Sequence, residues 1–186
     1  MQKYYTGVGS RMTPSQVRNL MFAIASLLAE KDYTLRSGGA LGADVSFEKG
    51  CISVQGKREI YLPWAGFNGR KDYDRIFAPN YINDIILTNI TDRFLWKATD
   101  LIEATHPNWE GLAPRAKRLH TRNVFQVLGQ NLESKSDFLI CWTPNGKVLG
   151  GTATAIKIAQ RFNVRVFNLA IPFEQMELRT FIKTLN

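Results

Sequence analysis

Cysteine and histidine are scarce: the 186 residues hold two of each, Cys51 and Cys141, His106 and His120. The cysteines lie far apart without a CxxC partner and the histidines complete no metal-ligand spacing, which excludes structural zinc and leaves no metal expected. Long apolar runs are also missing. None approaches the roughly 18 residues that a membrane-spanning helix needs, so no membrane partner is expected. The first residues, Met1-Gln2-Lys3-Tyr4-Tyr5, show no charged-then-apolar signal segment, and the expectation is a cytoplasmic protein. Two nucleotide signatures are absent too. The Gly7-Val8-Gly9 turn lacks the third glycine of G-x-G-x-x-G, and no G-x-x-x-x-G-K-[ST] string occurs. Dinucleotide redox chemistry and P-loop hydrolysis are therefore disfavoured, and no cofactor is expected.

What the chain does have is an excess of positive charge, 24 Lys+Arg against 16 Asp+Glu for a net +8. Such a balance points to an anionic partner without naming it. The basic residues form no tail or block, so their effect depends on the folded surface. The length fits one domain with a sizeable core, and a mean hydropathy of −0.18 is that of a globular chain.

Short β-prone runs alternate with helical periodicity. Tyr4–Val8 reads as a strand ending in Gly7-Val8-Gly9-Ser10-Arg11. A helix follows from about 14 to 30, with Thr13 as cap, Pro14 at its first position, Gln16 closing a capping box, and Val17, Leu20, Met21, Ile24, Leu27 and Leu28 as its apolar stripe. Tyr33–Arg36 reads as a second strand, leading through Ser37-Gly38-Gly39-Ala40-Leu41-Gly42-Ala43-Asp44 into a second helix. Glu59–Leu62, Asp137–Trp142 and Val164–Leu169 read as three further strands. Gly150-Gly151-Thr152 opens a helix between the last two, and a final helix spans Glu174–Leu185. Another helix is expected from Pro114 to about Leu128, and a short one near Arg93–Glu103. This grammar predicts a single α/β domain over residues 1–186, Rossmann-like, with a parallel sheet of about five strands and helices on both faces. Residues 64–112 interrupt the rhythm and read as an elaboration after strand three, a lid or an interface.

In such a sheet, ligands gather where strands end and helices begin, because free amides and the positive helix end meet there. Three Gly-rich turns occupy such positions. Glycine lets a phosphate approach the backbone, and the hydroxyls of Ser10, Ser37 and Thr152 add small donors. Any one turn is equally well a plain connector; three at one sheet edge suggest a phosphate site built around Gly9, Gly39 and Gly151.

These motifs resemble the SLOG superfamily of Rossmann-like proteins. The string Ser37-Gly38-Gly39-Ala40-x-Gly42-Ala43-Asp44 is most similar to the DNA processing protein A branch and to the relatives of that branch encoded by tailed bacteriophages. The match covers Met1 to about Leu169 apart from 64–112. The phosphoribohydrolase branch carries a GGxGTxxE motif whose Glu assists loss of the base. Here the string is Gly150-Gly151-Thr152-Ala153-Thr154-Ala155, so Ala155 stands where that Glu is expected. A methyl group neither moves a proton nor stabilises an oxocarbenium-like centre. Asp44 and Glu48 are replacement carboxylates in principle, but a helix-bracing Asp44 and a salt-bridged Glu48 are the simpler reading.

Candidate ligand residues are thus Gly9, Ser10 and Arg11; Ser37, Gly38, Gly39, Ala40 and Asp44; and Gly150, Gly151 and Thr152. To these we add Arg122 and Asn123, on a helix where the phosphoribohydrolase relatives carry a ligand-facing Arg. Trp64 and Trp142 are candidate stacking platforms or core fillers, and Asn168 a ribose or base contact or a turn former. The leading expectation is binding of a phosphorylated, nucleotide-derived small molecule, as a sensor or a sequestering protein; the resemblance extends this to a signal such as a cyclic ADP-ribose. Single-stranded DNA is the alternative partner, and a nucleoside phosphate N-glycosidase or transferase the second alternative. The resemblance also implies a homo-oligomer.

Overall fold

The computed structural model describes residues 2–70, 94–185 and the backbone of 83–87. Six strands form one sheet: β1 (Lys3–Gly7), β2 (Tyr33–Ser37), β3 (Arg58–Leu62), β4 (Asn83–Leu87), β5 (Phe138–Cys141) and β6 (Arg165–Asn168). Their order is β4-β3-β2-β1-β5-β6, and every pairing is parallel. Among the described residues six α-helices accompany them: α1 (Ser15–Glu30), α2 (Ala43–Ser53), α3 (Leu95–Glu103), α4 (Pro114–Leu128), α5 (Gly151–Arg161) and α6 (Pro172–Thr184). The molecule is therefore α/β and Rossmann-like. The five strands read from the sequence are all present, and β4 adds a sixth at the edge from within the interrupting stretch.

Alternation along the strands divides the core. Tyr5, Leu35, Ile60, Phe138, Ile140 and Phe167 face one side, where Met21, Ile24 and Leu28 of α1, Phe47 and Cys51 of α2, and Leu178 and Ile182 of α6 cover them. Val8, Tyr61, Leu139 and Cys141 face the other, under Ile102 of α3, Val124, Phe125 and Leu128 of α4, and Ile156, Ile158 and Ala159 of α5. Trp109 joins this second core, whereas Trp96 is exposed. The lid-or-interface reading falls partly on residues 71–82 and 88–93, which lie outside the described residues.

One capping expectation is corrected. Pro14, not Thr13, is the N-cap of α1, and no side-chain hydrogen bond caps the helix. The Thr13 hydroxyl instead donates to the Ser10 carbonyl at 2.6 Å, closing the turn after β1. The hydroxyl is turned toward that carbonyl, and no helix amide donates to it. Among the described residues no helix is long and apolar enough to cross a membrane.

Candidate functional site

The chain runs outward from β1 to β4 and then returns to place β5 on the other side of β1. The direction of winding reverses between β1 and β5, so the helices that follow them, α1 and α5, lie on opposite faces of the sheet and leave a crevice at its C-terminal edge. A cleft of about 720 Å³ lies there, lined by the turn after β1, the segment after β5, the start of α5 and one face of α4.

The three Gly-rich turns do not contribute equally. Gly9, Ser10 and Arg11 line the cleft from the first turn. The Ser10 amide donates to the Trp142 carbonyl at 3.1 Å, and a Cβ on Gly9 would lie 2.6 Å from that of Ala43, so the turn is pressed between β5 and the start of α2. From the second turn only Ala40 and Asp44 reach the cleft. Ser37 is fully buried and its hydroxyl donates to the Gly7 carbonyl at 2.7 Å. Gly39 faces Arg70 and Leu62, and its carbonyl accepts from the Asn68 amide group at 2.8 Å. From the third turn Gly150, Gly151 and Thr152 all line the cleft.

The difference has an electrostatic cause. Asp44, in the first turn of α2, accepts from the backbone amides of Gly9 at 3.2 Å and Ala40 at 3.3 Å. The chain's own carboxylate therefore occupies the position an anion would take at that turn. Burial pushes the Asp44 carboxyl up to about 6, against the opposing pull of Arg122 and the two amides. At α5 there is no such occupant among the described residues: no side chain caps the helix, no acidic residue lies in its first turn, and its first residues open onto the cleft. Asn123 of α4 secures this turn by donating to the Gly151 carbonyl at 2.9 Å.

Arg122 is buried beside Asp44, with Nη1 at 3.9 Å from Oδ2 and donating at 2.5 Å to the Gly38 carbonyl. Among the described residues its Nε finds no partner. One helical turn further, Gln126 is 1% exposed, lines the same cleft, and among the described residues has neither its Oε1 nor its Nε2 hydrogen-bonded. A buried polar group left so costs about 1–3 kcal/mol, and three such atoms within side chains that line one wall of a cleft mark a place suited to a polar ligand. Gln126 is absent from the sequence-derived candidates because a glutamine on a helix ordinarily reads as solvated. Its i+4 relation to Arg122 and its apolar neighbours Phe125 and Val127 were the available signal.

His120 was also missed. It lines the cleft, its Nδ1 lies 2.6 Å from the Thr154 hydroxyl, and its ring is 4.6 Å from that of His106. Burial, His106 and Arg122 pull it down to about 4, so it is neutral near pH 7.

The remaining candidates lie elsewhere. Trp64 packs edge-on against Phe67 at 5.2 Å and Trp142 against the first core; neither lines the cleft. Asn168 is buried at the β5–β6 corner, accepting from the Thr143 and Ala170 amides and donating to the Thr143 hydroxyl at 2.6 Å, which is the turn-forming arrangement. Glu48 is ion-paired with Arg70 and, at 3.6 Å, with Arg58, and does not line the cleft. Ala155 does line it, presenting a methyl group. Among the described residues no three His, Cys, Asp or Glu side chains group as metal ligands.

No protein-family model matches the chain, and no curated protein matches it. Solved structures do resemble it. DNA processing protein A from Helicobacter pylori, described for its single-stranded DNA binding mode, aligns at 16% identity and a TM-score of 0.52 over 99% of this chain and 80% of its own. DNA processing protein A from Streptococcus pneumoniae aligns at 15% and 0.55 over 97% of this chain but only 56% of its own, so the chain spans just over half of that protein. The Moco carrier protein of Chlamydomonas rheinhardtii aligns at 16% and 0.51, covering 100% and 87%. The fold of this chain is thus the Rossmann-like fold shared by DNA processing protein A and that carrier protein.

Proposed function

We propose that the protein binds a phosphorylated, nucleotide-derived small molecule in the cleft between the ends of β1 and β5. One observation carries the reading: the uncapped start of α5 opens onto a cleft of about 720 Å³ that is also lined by Arg122 and Gln126, whose side chains hold buried polar atoms without hydrogen-bond partners among the described residues. That volume is the size expected of a small-molecule site. The phosphate sits at Gly150, Gly151 and Thr152, where free amides and the helix dipole favour an anion. Asp44 excludes it from the neighbouring turn. Arg11 and Lys147 at the mouth supply attraction at longer range. The motif resemblance to phage-encoded relatives extends this reading by analogy to a signalling nucleotide such as a cyclic ADP-ribose, sensed or sequestered rather than turned over.

Native mass spectrometry of the protein purified from a cell extract, then mixed with a nucleotide panel, tests this. The expected result is a complex whose added mass is that of an intact phosphorylated ligand. Release of free base would instead support turnover, and no adduct across the panel would sink the proposal.

Single-stranded DNA is the second reading, favoured by the fold shared with DNA processing protein A and by the exposed Arg115 and Arg118 on α4 near the mouth. Six to ten phosphate contacts would lower affinity by about 10³–10⁵ between 50 and 200 mM salt. Fluorescence anisotropy with a labelled oligonucleotide reads this slope, and binding that is weak or flat with salt removes DNA as the partner.

A further inference from the structure

We propose that Gln126 and Arg122 form a base-reading floor in this cleft, distinct from the phosphate end at α5; the inference rests on the nucleotide-binding reading above. The two side chains lie one turn apart on the same face of α4, both line the cleft, and both are more than nine-tenths buried. Their neighbours are already committed. The Gly38 carbonyl accepts from Arg122, while the Thr6 hydroxyl pairs with Ser136 and with the backbone carbonyl of Gln126. Among the described residues, Arg122 Nε and both polar atoms of the Gln126 carboxamide are left without partners.

The unmet valences define what fits. A phosphate offers acceptors alone and would leave Gln126 Oε1 unsatisfied. A carboxamide is matched by a group that carries an N–H donor and an acceptor side by side, which is the edge of a nucleobase. Arg122 Nε adds a donor and so calls for a second acceptor on the same ring. Gly38 makes the arrangement sterically feasible, since a Cβ there would lie 1.6 Å from Arg122 Nη1 and 2.4 Å from Gln126 Nε2. The ligand therefore enters base first, with its phosphate at the turn that Asn123 secures.

Calorimetric titration of the full chain and of Gln126→Met with adenosine 5′-monophosphate, uridine 5′-monophosphate and base-free ribose 5-phosphate separates the parts. Gln126→Met keeps the side-chain length and removes both polar atoms. Its expected effect is at least a tenfold loss of affinity for a nucleotide that the unmodified protein binds, with ribose 5-phosphate affinity unchanged. Equal losses for all ligands, or none, overturn the base-reading floor. If the unmodified protein binds ribose 5-phosphate as tightly as the nucleotides, or binds none of the three, this inference fails; the phosphate site stands in the first case and is decided by the nucleotide panel in the second. The melting temperature without ligand is a second readout: it stays level or rises when unpaired polar atoms are removed, and a drop of several degrees would show that Gln126 serves the fold instead.

Discussion

Gly38 is where fold and site meet at the scale of a single residue. Its missing side chain lets Arg122 and Gln126 close on the turn after β2, and an added Cβ would collide with both. Gly38→Ala is expected to cost about 1–3 kcal/mol, as overpacking does, and to weaken ligand binding because Arg122 must move; urea denaturation and calorimetry check the two effects. Unchanged stability would mean that the α4 side chains are free to shift. Much of this neighbourhood was readable from residue type: Arg122, Asn123, Asp44 and the glycines were all identified. Gln126 and His120 were not, because helix position alone does not tell a buried polar side chain from a solvated one. Trp64, Trp142 and Asn168 were placed near the sheet edge correctly, yet the side chains turn into packing and corner hydrogen bonds. Which way a side chain turns at a strand end depends on contacts that sequence periodicity does not encode.

Helices and turns carry a second contrast. α1 and α2 pack closely where a Cβ on Gly50 would lie 2.1 Å from the Phe22 carbonyl oxygen, a backbone atom that cannot step aside. Ser26 seals the contact by donating to the Gly50 carbonyl at 2.9 Å. Gly50→Ala should therefore cost about 2 kcal/mol or more by forcing the helices apart. At Gly151 an added Cβ meets nothing within 4 Å. Gly151→Ala should leave stability level or raise it by about 0.4–1 kcal/mol. If a phosphate approaches that backbone, the same change weakens nucleotide binding. Parallel melting and binding measurements on both variants decide it, and a Gly151→Ala protein that binds as well as the parent would move the phosphate away from α5. In the sequence Gly151 stands out as a turn glycine and Gly50 does not; only the packing partner reveals the weight of Gly50.

At the scale of the whole molecule, pH acts through the buried Asp44 and the half-buried His120 with opposite signs. Asp44 is raised from 3.8 to about 6, so between those values the folded protein holds more protons than the unfolded chain and stability falls as pH rises. His120 is lowered from 6.5 to about 4, so over that range the unfolded chain holds more protons and stability rises with pH. The contributions oppose each other between about pH 4 and 6. Relative to the parent, His120→Gln is expected to melt with a more downward slope as pH increases through that window, and Asp44→Asn with a more upward one. Melting temperatures of the three proteins at several pH values check this, and parallel profiles would show that neither group is perturbed as described. The net charge of +8 is a background field over this balance. Its most pointed expression is local, at Arg122, where burial lowers the guanidinium pKa and Asp44 opposes the shift.

By itself the sequence determined the alternation of strands and helices, the α/β class and the three Gly-rich turns, because periodicity, propensity and turn chemistry are local properties of the chain. Its interrupted stretch concealed β4, whose Asn83–Leu87 is a strand through pairing with β3. Tertiary structure alone decided the strand order, and with it the reversal between β1 and β5 that opens the cleft. It also decided that the second turn is filled by Asp44 while the start of α5 stays open, and that Gln126 faces the cleft unpaired. Those outcomes depend on which distant segments pack together, and on which buried polar groups are then left without partners.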